Sequence, residues 1–183
     1  MAHYREALAL SPEYAEAYNN LGDALARKNA VKEAVAQFEK AVELDPGYTV
    51  AHANLGMLLA RTRQTDKAIV HLKKVVEAKP DAAEARRDLG HVLADKRDFR
   101  EARIQLEEAQ KLSGGRDPLT LHLLGRVYAD LGRFPDAAAV QRQALAVAIA
   151  QNNAQLVEVI DAYLAQTGQV GRPPAAPGLP QAP

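Results

Sequence analysis

Small, large and polar positions return along the chain with one spacing. AYNNLGDALARKN at residues 17–29 is rewritten as AHANLGMLLARTR at 51–63 and as ARRDLGHVLADKR at 85–97. Gly22, Gly56 and Gly90 are 34 residues apart, and Gly125 follows 35 further on. Each has a leucine immediately before it: Leu21, Leu55, Leu89 and Leu124. Ala34, Ala68, Ala102 and Ala137 keep the same steps, and Pro12, Pro46 and Pro80 close successive stretches. A period of this length marks a building block that stacks on copies of itself. Small Gly and Ala positions suit close approach of backbones, and Leu21, Leu25, Phe38 and their equivalents recur as bulky apolar positions. The prolines follow a helix end, where the missing N–H does no harm. Pro135, after Arg133-Phe134, suits a first helical turn.

In register, the first unit carries Tyr18, Leu21, Gly22, Leu25, Ala34, Phe38, Ala41 and Pro46. The second carries His52, Leu55, Gly56, Leu59, Ala68, Leu72, Val75 and Pro80. The third carries Arg86, Leu89, Gly90, Leu93, Ala102, Leu106 and Ala109; the fourth Leu121, Leu124, Gly125, Tyr128, Ala137, Gln141 and Ala144. Gly114-Gly115 replaces the closing proline of the third unit and accounts for the single longer step. This pattern resembles the tetratricopeptide repeat. The resemblance implies an all-α fold: a right-handed α-α superhelical solenoid of helix pairs, A and B, with an extended concave face.

Four units are expected at about 15–48, 49–82, 83–117 and 118–151. Residues 1–14 match half a unit, helix B alone, through Tyr4, Ala7 and Pro12, as expected of a piece of a longer repeat protein or of a lone cap. Residues 153–167 place Leu156, Val159, Ile160, Tyr163 and Leu164 at helical spacing, predicting a C-terminal capping helix. The Pro-, Gly- and Ala-rich tail 168–183 is expected to be disordered or polyproline II.

Lys plus Arg and Asp plus Glu both number 23, a balance that argues against nucleic acid as a partner. With no cysteine, disulfides, thiolate metal sites and cysteine nucleophiles are excluded together. No apolar run is long enough to cross a membrane, and no phosphate-loop, dinucleotide or zinc-protease motif occurs. Ser11 and Ser113 sit in turn contexts, and SGGRDP reads as a joint between the third and fourth units. No enzyme activity and no cofactor are expected, and the cytoplasm is the expected compartment, with the periplasm as alternative.

Function then rests on the groove. Asn20 and Asn54 occupy position six of their units, with Asp88 and Leu123 at that place in the third and fourth. In tetratricopeptide superhelices resembling that of O-GlcNAc transferase, position-six asparagines hold the backbone of an extended peptide; an amide suits this, offering an acceptor and two donors. The alternative is that these asparagines bond only to a neighbouring helix. The cationic carboxylate clamp of chaperone-binding members is not matched, because Glu84 and Asp88 stand where its cations belong. The expected groove residues are Asn19, Asn20, Asp23, Asn54, Met57, Arg61, Arg87, Asp88, His91, His122 and Arg126. Glu16, Arg27, Val50, Ala53 and Glu84 lie at neighbouring groove positions. His91 and His122 with Asp88 make only part of a metal set and read as polar groove residues; His52 reads as a packed histidine, and His3 and His71 as incidental. The expected function is a non-catalytic scaffold binding an extended peptide or partner segment. The alternative is an architectural, self-associating or regulatory segment of a larger protein, such as a glycosyltransferase or a membrane-associated one, with the N-terminal helix as the self-associating face.

Overall fold

The computed structural model describes Tyr4 and residues 8–166. The Pro-, Gly- and Ala-rich tail expected to be disordered, as well as His3 and Ala7, lies outside the described residues. Tyr4 and residues 8–10 are helical, and nine further helices follow, with no strand among the described residues. They are α1 (Ala15–Arg27), α2 (Val31–Leu44), α3 (Thr49–Arg61), α4 (Thr65–Ala78), α5 (Ala83–Asp95), α6 (Phe99–Leu112), α7 (Pro118–Asp130), α8 (Phe134–Ala150) and α9 (Ala154–Gln166). The chain divides after Gln105, within α6, into two compact units.

In the first unit α1 packs on α2 and α3 on α4; α2 then meets α3, and α4 meets α5. The A helices also touch in sequence, α1 with α3 and α3 with α5. The small positions explain the closeness of each pair. Ala34, Ala68 and Ala102 are fully buried, and a Cβ built on Gly56 would lie 2.8 Å from Leu72 Cγ and 3.3 Å from the Ala68 carbonyl oxygen. Helices of 13 or 14 residues, as here, are marginal alone; α1 to α5 also lack side-chain N-caps, so packing of their apolar faces holds them.

Each A helix turns into its B helix through one residue in the left-handed region. Asn29, Arg63 and Arg97 have φ of 59, 62 and 67°, and in the second unit Gly132 has 73°. The following amides of Ala30, Gln64, Asp98 and Arg133 reach back to the carbonyls of Leu25, Leu59, Leu93 and Tyr128 at 2.8–3.0 Å. This six-to-one bond satisfies a carbonyl that the helix end leaves open. The SGGRDP stretch also has a capping role. Gly114 and Gly115 take positive φ after α6, and Asp117 caps α7, its Oδ1 accepting from the Leu119 amide at 3.1 Å with Pro118 in the first turn.

In the second unit α7, α8 and α9 pack together around Leu121, Ala144, Leu145, Ala148, Ile160 and Leu164. The register of α9 departs from the expected core in one place. Val159 is 48% exposed, while Ile160 and Leu164 are buried.

Candidate functional site

The A helices of the first unit carry Asn19, Asn20, Asn54, Arg87 and Asp88 on the equivalent turns of α1, α3 and α5. Asn54 Nδ2 donates to Asn19 Oδ1 at 2.9 Å, and Asn19 Nδ2 donates to Asn20 Oδ1 at 3.3 Å. Asn19 is buried, and Asn20 and Asn54 are half-buried. The asparagines therefore do bond to a neighbouring helix, but the chain of amides does not consume them. Among the described residues, the Asn20 amide nitrogen and the Asn54 carbonyl oxygen carry no hydrogen bond. Asn19 departs from the expected groove role: it is the buried link that fixes the orientation of the other two.

On α5, Arg87 donates to Asp88 Oδ1 through Nε at 3.1 Å and Nη2 at 3.0 Å. Burial pushes the Asp88 carboxyl above its ordinary pKa, against the opposing pull of the Arg87 guanidinium. Asp23 pairs with Arg27 at 2.9 Å, and His91 stands 3.9 Å from Asp95. Met57 is half-buried and Arg61 exposed. Beside Asp88 a cavity of about 210 Å³ opens between α3, α4 and α5, lined by Val50, Ala53, Leu72, Val75, Ala85 and Asp88 among others.

A tetratricopeptide repeat model matches residues 2–49 and 88–154, and a second one matches 29–92. The chain belongs to the tetratricopeptide repeat family. Its fold is the all-α tetratricopeptide solenoid, and family membership makes it a protein-interaction scaffold with protein partners. No curated protein matches the chain. Among solved structures, a crystal structure of MamA superposes with a TM-score of 0.75 at 20% identity, covering 82% of this chain and 87% of that one. MamA 41-end from Desulfovibrio magneticus RS-1 superposes with a TM-score of 0.77 at 22% identity, covering 82% and 84%. At such identities the likeness speaks for the fold alone. Among the described residues, no helix is long and apolar enough to cross a membrane.

In two units, tetratricopeptide position four carries a polar pair that a periodic pattern does not disclose. At position four, His52 Nε2 lies 3.1 Å from the Pro46 carbonyl and Nδ1 lies 2.9 Å from His71 Nδ1. A carbonyl only accepts, so Nε2 of His52 carries the proton; its Nδ1 then accepts from His71 Nδ1–H. Arg86, one unit later, repeats the arrangement: Nε donates to the Pro80 carbonyl at 2.7 Å and Nη1 to Gln105 Oε1 at 3.0 Å. His71 is thus the cross-helix partner of His52, not an incidental residue.

His122 also departs from its expected groove role. In the second unit it is buried, its Nδ1 3.0 Å from Gln141 Oε1, while Gln141 Nε2 donates to the His122 carbonyl at 3.1 Å. Its ring meets Tyr163 edge to face, with centroids 5.6 Å apart. Arg126, four residues on, is exposed.

Burial is the leading cause that holds both His71 and His122 below the usual histidine pKa. In the unfolded chain both titrate near pH 6.5, so between there and their lower folded values the unfolded state binds more protons. Stability is expected to be complete above pH 6.5 and to fall as the pH drops from there through the folded values. Thermal melts between pH 7.5 and 5.5 check this. His71→Gln should flatten part of the slope, and an unchanged slope would show that His71 takes no part.

Proposed function

We propose that the chain binds an extended segment of a partner protein along α1, α3 and α5, with Asn20 and Asn54 holding the segment's backbone. The face belongs to the expected units 15–48, 49–82 and 83–117; the fourth expected unit, 118–151, and the capping helix 153–167 are no part of it. The observation that carries the reading is the amide chain Asn54–Asn19–Asn20. It fixes two half-buried amides in rotamers that leave a carbonyl oxygen and an NH2 group uncommitted. A half-buried polar atom without a partner is stabilised when a ligand supplies one, and a peptide unit supplies a donor and an acceptor together. Because such bonds are made to the backbone, they favour an extended segment over any one side-chain sequence. Fixing the rotamers beforehand lowers the ordering cost of association.

Asn20→Ala tests the reading, since it leaves the Asn54–Asn19 bond between α1 and α3 in place. Peptides selected on the full chain from a random dodecapeptide display library are expected to bind this variant ~10-fold more weakly, about the loss of one or two hydrogen bonds. Circular dichroism verifies that the variant keeps its helix content. Unchanged affinity across all selected peptides would refute the amide ladder as the binding element.

A further inference from the structure

The cavity beside Asp88 combines two features that suit one kind of side chain. Its walls are aliphatic: Val50 and Ala53 from α3, Leu72 and Val75 from α4, and Ala85 from α5. Its volume of about 210 Å³ leaves room for an unbranched aliphatic stem. Two carboxylates, Glu84 and Asp88, also line it, one turn apart on α5. The two bonds that Asp88 accepts from Arg87 end on Oδ1, and among the described residues Oδ2 carries no hydrogen bond. Lys79 lines the cavity too, but it is exposed and, among the described residues, forms no ion pair with either carboxylate. Asp88 stands where Asn20 and Asn54 stand in the two preceding units, so a charge appears at the ladder position beside this cavity.

We propose that this cavity is a socket for a lysine side chain of the bound segment, its stem on Val50, Ala53, Val75 and Ala85 and its ammonium on Asp88 Oδ2 and Glu84. The proposal rests on the groove reading above and gives that partner a chemistry. Long cationic side chains lay their methylenes along apolar surface while the charged end reaches polar groups. A purely aliphatic side chain would fill the walls and shed water from two anions without replacing it. An acidic one would meet like charge. A cation satisfies both parts at once, and a charge-assisted bond to a half-desolvated carboxylate is among the stronger hydrogen bonds.

The probe is the tightest peptide obtained from the dodecapeptide library on the full chain, remade with each lysine changed to norleucine, which keeps the stem and removes the charge. At one lysine, norleucine is expected to weaken binding ~10-fold or more, and glutamate further still. Against Asp88→Asn combined with Glu84→Gln, which nearly preserves shape and the acceptor for Arg87, the lysine and norleucine peptides should bind alike. Ala53→Leu, which fills the cavity, should weaken both peptides. Selected peptides without lysine would overturn the socket, and so would a lysine preference that survives Asp88→Asn and Glu84→Gln together. If those same peptides still lose affinity on Asn20→Ala, the groove reading stands while the socket falls. Peptides that show neither dependence sink both.

Discussion

Truncation of Leu55 to alanine is expected to lower the unfolding free energy by about 2–5 kcal/mol, the cost of lost transfer plus a residual cavity. Leu55 is fully buried on α3, the helix that packs against α1, α2, α4 and α5. It also follows the period directly, just before a glycine that stands against Leu72. Little room exists for neighbours to collapse into the gap, because the small residues around it already hold the backbones close. Domains of this size are stable by only about 5–15 kcal/mol, so the variant should melt far earlier in urea or heat. Val70, on α4, is 56% exposed, and Val70→Ala should change stability by less than about 0.5 kcal/mol. Equal midpoints for the two variants would contradict the assignment of Leu55 to the core.

Gln141 supplies the second large effect. It occupies position 24 of its unit, where Phe38, Leu72 and Leu106 stand in the others, and it is fully buried. Leucine would restore the apolar pattern, yet Gln141→Leu is expected to cost about 1–3 kcal/mol. The cost arises because His122 Nδ1–H, buried and committed to the Gln141 oxygen, loses its acceptor. Adding His122→Leu removes the stranded donor, and replacing both partners by apolar groups is nearly neutral. The double variant should therefore be more stable than Gln141→Leu alone, giving a coupling of about 1–3 kcal/mol in a denaturation cycle. It should also lose the part of the acid sensitivity that His122 supplies. Additive single effects would mean that the buried pair contributes no coupling.

Both effects begin in the same period but differ in how far it foretells them. Leu55, Ala68 and Gly56 are legible at once, because a repeat of small and large residues states which positions must meet across a helix pair. Gln141 is visible as an oddity at an apolar position, and nothing in the period identifies His122 as its partner. The same holds for His52, recognisable as packed, and for His71, which looks idle until α3 and α4 are side by side. Asn20 and Asn54 are legible as a ladder. Asn19, one residue earlier on α1, is drawn into that ladder as its buried link because α3 lies against α1 and delivers the Asn54 amide to it.

By itself, the amino-acid sequence determined the helix pairs, the small positions at which they meet and the family. All of these follow from local spacing and from residue size, which repeat with the chain. The tertiary structure alone decided which polar groups are spent on one another and which stay open. Hydrogen-bond partners 19 or 35 residues apart depend on how close the neighbouring helix comes, and no one-dimensional period contains that distance. The cavity beside Asp88 arises for the same reason: Ala53 and Ala85 leave space only relative to Leu72 and Val75 across from them.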